Sequence, residues 1–382
     1  MARTPPTPAE HQASLHRWLG ENGGAFDSAR VGKSSIDFDS AVRDEAALQR
    51  ALWDSNLYRW GWPEFVGGLG GTAVLRAAFY EQLCLDGFRI PHAVTTLETM
   101  GPMMCNSATD VAAAYLGPCI AGREVWCQGF SEPEAGSDLA ALRCRAVPDG
   151  DGWRITGQKL WTSVGTMSSR IAMLVRTGGP GHRGISMMLA DMDAEGVDVR
   201  ATRASTGRLE FTEEFFDNVY VGADRLIGGL NQGWYLAMEL LQWERGMYGW
   251  IVQSELHVLL AACARRVRAS DDTPIAMIQE AWTMLTALRA RAALTVTRLA
   301  AGEMLGPEVS VDKILLTRAM QLVHDIERSV GPISFALDDG ESAEVVRADW
   351  FYTRAASIYG GAIDVQRGIV AERVLGLPRS TR

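Results

Sequence analysis

The chain has 382 residues, 47% of them hydrophobic and 22% charged, which is long enough for two or three core-bearing regions. A formal net charge of −9 and the lack of any Lys/Arg run exclude the positive field that a nucleic-acid backbone requires. The six cysteines are scattered without a Cys-x-x-Cys pair and the histidines form no ligand cluster, which predicts neither a metal site nor a disulfide framework. The sequence contains no long apolar run, so we predict a cytoplasmic protein without a membrane segment.

The first part of the chain has the apolar spacing of helices. Leu48 and Leu52, and later Leu75 and Phe79, recur at steps of four residues, and a glycine-rich stretch at 67–71 separates the two groups. We predict an N-terminal α-helical domain over residues 1–120.

The middle of the chain is rich in short β-type segments. They are separated by turn residues such as 149–152 and 178–181, and they lie at 153–155, 171–175, 185–189 and 215–221. We predict a compact antiparallel β-domain over residues 121–228.

Helical periodicity returns after residue 228. It runs through 234–268 and 274–303 and again near the carboxyl end, which predicts a C-terminal helical domain over residues 229–382. Helices, a small sheet and helices again make an α+β chain, and this order by itself names no chemistry.

Two segments of the middle region carry residues suited to a cofactor. They read WCQGFSEPEAGSD at 126–138 and GQKLWTS at 157–163. A strand that ends in a Ser/Gly-rich turn offers the N–H groups and hydroxyls that a flavin edge and a pyrophosphate require. The first segment alone is also compatible with a tight surface turn. Together the two resemble the flavin-binding signature of acyl-CoA dehydrogenases, and the resemblance implies FAD.

The resemblance also implies roles for individual residues. Phe130 and Ser131 would contact the flavin edge, Trp161 would pack on the ring, and Ser163 would bond near its reactive nitrogen. The full set implied to bind the cofactor is Gln128, Phe130, Ser131, Gly136, Ser137, Trp161 and Ser163, with Ser137 also near the substrate.

The terminal segment YGGAIDVQRGIVAERVLG at 359–376 resembles the closing helix of the same family. The resemblance then spans nearly the whole chain and implies an N-terminal helical domain, a middle antiparallel β-domain and a C-terminal four-helix bundle. Many members carry the catalytic glutamate directly after the tyrosine of this motif, where this chain has Gly360. The resemblance implies that the Gly360 N–H polarises the thioester carbonyl and that Tyr359 lies near the substrate. Glycines at 360 and 361 also predict extra room for the acyl chain if nothing else fills the gap.

Glu244 is the candidate base. Burial raises a carboxyl pKa towards the value that a general base needs near neutral pH, and Glu244 lies among apolar residues at helical spacing, namely Trp234, Ala237, Leu241, Tyr248 and Val252. Glu244-Arg245 also resembles the helix position from which members acting on branched or bulky chains supply the base. Glu244 could instead pair with an arginine and brace the helix. Arg245 is either a neighbour of coenzyme A or a structural partner of an acid.

Two segments expected in a homotetramer are incomplete. In homotetrameric members a neighbouring subunit holds half of each FAD through an Arg-x-x-Phe-Gly segment ending in Gln and a Gln-x-x-Gly-Gly-x-Gly turn. Here Arg268 and Gln279 remain without the Phe-Gly pair, and 322–331 offers neither the glutamine nor the glycine cluster. We therefore infer a homologous partner subunit in an α2β2 heterotetramer. Such pairs occur in bacterial branches that shorten steroid side chains, which favours a bulky steroid-like acyl-CoA.

The expected reaction is α,β-dehydrogenation of an acyl-CoA. Glu244 would remove the α-proton while hydride passes from the β-carbon to FAD, and an electron-transfer flavoprotein would be the acceptor. Two alternatives stay open. One is an acyl-CoA oxidase or flavin monooxygenase on the same fold, and the other is a non-catalytic scaffold subunit that completes a partner's FAD site.

Overall fold

The computed structural model describes residues 4–33, 35–267 and 272–379, which fall into two compact units. The first unit combines residues 1–36, 70–90 and 242–382, and the second combines 37–69 and 91–241. The helices are α1 (Pro8–Asn22), α2 (Phe38–Asp54), α3 (Ala73–Leu85), α4 (His92–Ser107), α5 (Thr109–Val111), α6 (Gly117–Ile120), α7 (Gly233–Trp243), α8 (Gly249–Arg266), α9 (Asp272–Ala300), α10 (Ser310–Val330), α11 (Pro332–Leu337), α12 (Glu341–Ala355) and α13 (Ile363–Ile369). The strands are β1 (Trp126–Gly129), β2 (Arg145–Asp149), β3 (Gly152–Ser163), β4 (Arg170–Arg176), β5 (Ile185–Asp191), β6 (Val197–Thr202), β7 (Phe211–Gly222) and β8 (Leu226–Ile227).

Local sequence explains where several helices begin. Thr7 and Glu10 form a reciprocal capping box at the start of α1, in which each side chain accepts a hydrogen bond from the other residue's backbone N–H. Asp37 caps α2 by accepting from the Ser40 N–H, and Thr72 caps α3. These caps satisfy N–H groups that have no partner within their own helix.

The sheet of the second unit is mixed. Its strands follow the order β6-β7-β3-β2-β4-β5-β8, and β1 pairs with β4 beside this path. The β1–β4 pair is parallel, as is the single β2–β4 contact between Arg145 and Arg176, whereas the other pairs are antiparallel. The prediction of an antiparallel β-domain is corrected at these two parallel pairings. Parallel pairing needs a long connection between strands, and the β2–β3 hairpin lies on the connection from β1 to β4.

Apolar side chains from neighbouring strands form the core of the second unit. Ile155, Ile171, Met173, Met188 and Val219 are fully buried in one cluster. This buried layer fixes the strands that carry the two candidate flavin segments.

The first unit is helical. Its α10 contacts α8, α9 and α12, and the apolar core between them includes Leu256, Leu285, Ala319 and Val323. The prediction of helical terminal regions around a middle sheet region is confirmed. The domain limits after residues 120 and 228 stay a prediction. Within the described ranges, no helix combines the length and apolarity that crossing a membrane requires.

Candidate active site

A buried ion pair fixes the loop that follows β1. The Glu132 carboxylate accepts from Lys159 Nζ at 2.7 Å and from the backbone N–H groups of Arg143 at 2.6 Å and Cys144 at 3.0 Å. Lys159 is 0% exposed. Burying two charges is costly unless their hydrogen-bonding capacity is satisfied, and here several donors satisfy it. The loop is therefore firmly attached to β3.

The same region joins the two candidate flavin segments. The Leu160 N–H donates to the Ser131 carbonyl at 3.0 Å, and Lys159 Nζ donates to the Phe130 carbonyl at 3.4 Å. Phe130 is buried and Ser131 is half-buried. The structure thus brings the 126–138 and 157–163 segments into direct contact.

Trp161 projects from β3 in an unusual backbone conformation. Its φ is +63°, and the pairing of β3 with β7 shifts register between Leu160 and Thr162. A bulky residue in the left-handed region is a genuine outlier, and such outliers and bulges concentrate where a side chain must be re-aimed. The indole is 57% exposed and meets Phe211 edge to face at 5.9 Å.

Other residues of the two candidate flavin segments also suit a flavin. Ser137 and Ser163 are exposed, and a Cβ on the exposed Gly136 would meet no described atom within 4 Å. Gln128 is half-buried on β1. The second unit thus offers an aromatic wall and hydroxyl donors next to a rigid turn, which suits the flat ring and polar edge of FAD.

The sequence did not single out the acid beneath this site. Glu214 on β7 is fully buried and accepts from Thr162 Oγ1 at 2.6 Å and from Thr212 Oγ1. Burial raises the pKa of Glu214, while the two hydroxyls and Lys159 lower it. One sequence signal could have pointed to these buried charges, namely an ionisable residue inside a β-type segment or a turn motif. It applies to Glu132, Lys159 and Glu214.

In the first unit, a widened helical turn presents Glu244. The predicted helix over 234–268 is divided, because α7 ends at Trp243 and a π-helical turn spans Glu244–Tyr248 before α8 begins. Of the apolar residues at helical spacing in this region, Trp234 and Leu241 are only half-buried, while Ala237 and Val252 are buried. Single π turns occur often at functional sites.

Gly246 allows this turn to lie close to α9. A Cβ on Gly246 would come within 2.8 Å of Thr295 Cγ2 and 3.0 Å of Leu299 Cδ1. A larger residue would push the turn away, so the glycine helps to fix the position of Glu244.

The Glu244 carboxylate lies against Gly360. A Cβ built on Gly360 would overlap with Glu244 Oε1 and would lie 3.3 Å from Lys313 Nζ. Gly360 has a φ of +62°, which a side chain would strain further. Glu244 therefore occupies the space where a residue-360 side chain would begin. The predicted extra room is wrong at both glycines, because Gln366 lies as close to Gly361, with Nε2 2.5 Å from a built Cβ.

Charges around Gly360 set the basicity of Glu244. Burial raises the pKa of the half-buried Glu244 carboxyl, while the nearby Lys313 and Arg245 cations lower it. Burial also lowers the pKa of Arg245, whose buried Nε has no hydrogen-bond partner among the described residues. Lys313, which the sequence did not single out, is 3% exposed, and burial lowers its pKa to about 8.

Two tyrosines border this cluster. The Tyr248 and Tyr359 hydroxyls lie 3.5 Å apart. Burial raises the pKa of Tyr248 to about 12 and raises that of Tyr359 well above its usual value. Both hydroxyls therefore stay protonated at neutral pH and can donate hydrogen bonds.

Of the two segments that a homotetramer would need, the described residues 322–330 do not form a phosphate-binding turn. Residues 322–330 are regular helix within α10, and the Asp325 carboxylate there accepts from Trp350 Nε1 at 2.8 Å and pairs with Arg354 at 3.4 Å. Gln279 is exposed on α9, whereas Arg268 lies outside the described residues.

Comparisons with known proteins identify the family. Residues 127–219 match the family model of the acyl-CoA dehydrogenase middle domain, and residues 231–375 match that of the C-terminal domain. The chain is 36% identical to the acyl-CoA dehydrogenase IpdE1 of Mycobacterium tuberculosis and 33% identical to IpdE1 of Mycolicibacterium smegmatis, over 98% of both chains in each case.

Solved structures show the same fold. The Tcur3481-Tcur3483 steroid ACAD has a TM-score of 0.84 at 24% identity, and the ChsE4-ChsE5 complex from Mycobacterium tuberculosis has a TM-score of 0.77 at 22% identity. In both comparisons the match covers 100% of this chain and of the other chain. The chain belongs to the acyl-CoA dehydrogenase family and is an oxidoreductase.

Proposed function

We propose that this chain is an FAD-dependent acyl-CoA dehydrogenase subunit in which Glu244 is the base. The observation that carries the proposal is the overlap between the Glu244 carboxylate and the space of a residue-360 side chain. A carboxylate from a different helix thereby reaches the position that the closing motif leaves vacant. Its burial raises its pKa towards the range useful for a general base.

The reaction forms an α,β-unsaturated acyl-CoA. Glu244 accepts the proton α to the thioester carbonyl, and the Gly360 N–H donates to the carbonyl oxygen as negative charge develops there. FAD, when bound, supplies the acceptor for the hydride that leaves the β-carbon. Arg245, Tyr359 and Ser137 are proposed to contact the acyl-CoA.

The second unit is proposed to hold FAD through the seven residues predicted from the sequence. Support comes from the exposed indole of Trp161, its strained backbone and the rigid attachment of the preceding loop through Glu132 and Lys159. The exposed hydroxyls of Ser137 and Ser163 add donors for the polar edge.

A homologous partner subunit is proposed to complete the FAD site in an α2β2 heterotetramer. Regular helix at 322–330 and the internal pairing of Asp325 leave no phosphate-binding turn in that segment for a neighbour's FAD. The names Tcur3481-Tcur3483 and ChsE4-ChsE5 complex support a two-chain assembly. An electron-transfer flavoprotein is the proposed acceptor, and the cytoplasmic location stays a prediction.

A bulky, steroid-like acyl-CoA is the proposed substrate. The spaces beside Gly360 and Gly361 are filled by Glu244 and Gln366, so empty volume there does not support this choice. Support comes instead from the description of a solved relative as a steroid ACAD. This step rests on analogy between family members.

The test is Glu244→Gln in the complex co-purified with the homologous partner chain. Glutamine keeps the size of the side chain and removes its ability to accept a proton. We expect turnover of a steroid side-chain thioester to fall by roughly 10² or more, with unchanged FAD absorbance per complex.

Glu303→Gln is the matched control, since Glu303 is half exposed and pairs with Arg298 at 2.7 Å. It should leave turnover unchanged. Full activity of the Glu244→Gln complex would place the base elsewhere and favour the scaffold function. Faster reoxidation by oxygen than by an electron-transfer flavoprotein would favour the oxidase.

A further inference from the structure

Lys313 is a buried cation on α10. It is 3% exposed on α10, and among the described residues it forms neither a hydrogen bond nor an ion pair. Its Nζ lies 4.6 Å from the centroid of the Tyr359 ring, whose face attracts a cation. A buried ammonium is costly, so its position needs an explanation beyond packing.

The Glu244 carboxylate lies close to Lys313 and, among the described residues, forms no hydrogen bond or ion pair. A Cβ on Gly360 would touch both groups, overlapping with Glu244 Oε1 and lying 3.3 Å from Lys313 Nζ. The two charges therefore face each other across the missing side chain of Gly360 without a direct ion pair. An opposite charge at this range stabilises an ionised carboxylate and leaves its oxygens free.

The adjacent acid does not cancel the charge of Lys313. Asp312 accepts from Arg291 Nε and from Thr295 Oγ1, both at 2.6 Å, so its carboxylate is already satisfied by α9. Arg245 adds a second cation near Glu244, but Lys313 has the larger effect of the two on the Glu244 pKa. Tyr248 and Tyr359 also border the cluster, and Glu255 and Tyr352 add to the rise in the pKa of Tyr248 and of Tyr359 respectively.

Resting on the proposed role of Glu244 as base, we propose that Lys313 is the positioning residue of that base. Its ammonium keeps the Glu244 carboxylate ionised and directed at Gly360, and the absence of a direct hydrogen bond leaves the carboxylate able to accept the substrate proton. Gly360 is part of this arrangement, because any side chain there would separate the two charges.

The test is the pH dependence of flavin reduction in a single turnover with a steroid side-chain CoA thioester. The complex carries Lys313→Met, which keeps length and removes charge, or Lys313→Arg, which keeps the charge. Lys33→Met is the control, because Lys33 is an exposed lysine that pairs with Asp27. If the Lys313→Met complex does not assemble, Lys313→Gln replaces it as the uncharged variant in the same measurement.

We expect Lys313→Met to move the midpoint of the acidic limb to higher pH by about one unit or more, since the carboxylate loses its stabilising cation. Lys313→Arg and Lys33→Met should leave the midpoint in place. If Lys313 had only a structural role, Lys313→Met would lower the stability of the complex without moving the midpoint of the acidic limb.

Stability gives a second readout that does not depend on turnover. Lys313→Met should raise the unfolding midpoint more in a Glu244→Gln background than in the wild type, because the attraction between the two charges is then already absent. Two outcomes would overturn the role of Lys313 while leaving Glu244 as the base. One is additive effects of the two substitutions on stability, and the other is an unchanged acidic midpoint in Lys313→Met when the Glu244→Gln complex is inactive. A fully active Glu244→Gln complex would overturn the base and its positioning residue together.

Discussion

The protein contains two buried lysine–glutamate neighbours that differ in how their charges are satisfied. In the second unit, Lys159 and Glu132 are 2.7 Å apart, and two backbone N–H groups complete the carboxylate's hydrogen bonds. In the first unit, Lys313 and Glu244 face each other across Gly360, and among the described residues neither forms a hydrogen bond.

This difference separates structural charges from reactive ones. A fully bonded buried pair fixes one conformation and has little capacity left for a proton. An unbonded buried carboxylate is costly and basic, so it is a feature of sites where chemistry requires it. The Glu132 pair holds the loop after β1 in place, whereas the Glu244 carboxylate keeps the free hydrogen-bonding capacity that its proposed role as base requires.

Breaking the bonded pair should have the largest effect. Lys159→Met leaves Glu132 buried without its cation, and we expect a loss of about 3–5 kcal/mol in the free energy of unfolding, together with weaker FAD retention. Urea unfolding and flavin absorbance after gel filtration measure both. Adding Glu132→Gln should recover part of the loss, and equal stability of wild type and Lys159→Met would contradict the role given to the pair.

The unbonded pair should show itself as a pH dependence of stability. The folded pKa of Lys313 is lowered to about 8 from 10.5, so between these values the unfolded chain binds more protons than the folded one. The free energy of unfolding should therefore rise with pH from 8 to about 10, by on the order of 3 kcal/mol across the full interval.

Urea unfolding of the complex at a series of pH values measures this rise. Lys313→Met should abolish it, whereas Lys33→Met should preserve it. If the free energy of unfolding still rises with pH in Lys313→Met, the rise belongs to another titratable group.

A smaller and more local change is Gly360→Ala. The backbone strain at positive φ should cost about 1–2 kcal/mol in stability. The added Cβ must also displace the Glu244 carboxylate, so flavin reduction should slow well beyond what the strain explains.

Gly302→Ala is the matched control, because Gly302 has a φ of +78° and a Cβ there would meet no described atom within 4 Å. It should lose similar stability and keep full activity. Equal activities of Gly360→Ala and Gly302→Ala would contradict the expectation that a side chain at residue 360 displaces the Glu244 carboxylate.

The order of helices, sheet and helices could be predicted from the sequence because apolar spacing and turn residues are local properties. Resemblance to family motifs pointed to the 126–138 and 157–163 segments and to the vacancy at Gly360, and the apolar spacing around Glu244 made it the candidate base.

Only the tertiary structure decided the contacts that give these residues their chemistry. Parallel pairing of β1 with β4 depends on a long connection, and the π turn at Glu244 interrupts a periodicity that continues on both sides of it. Lys313 is one charged residue of the long amphipathic helix α10, and its position in the sequence does not predict which acid it faces. Burial and through-space charge set the basicity of Glu244, and both depend on residues distant in the chain.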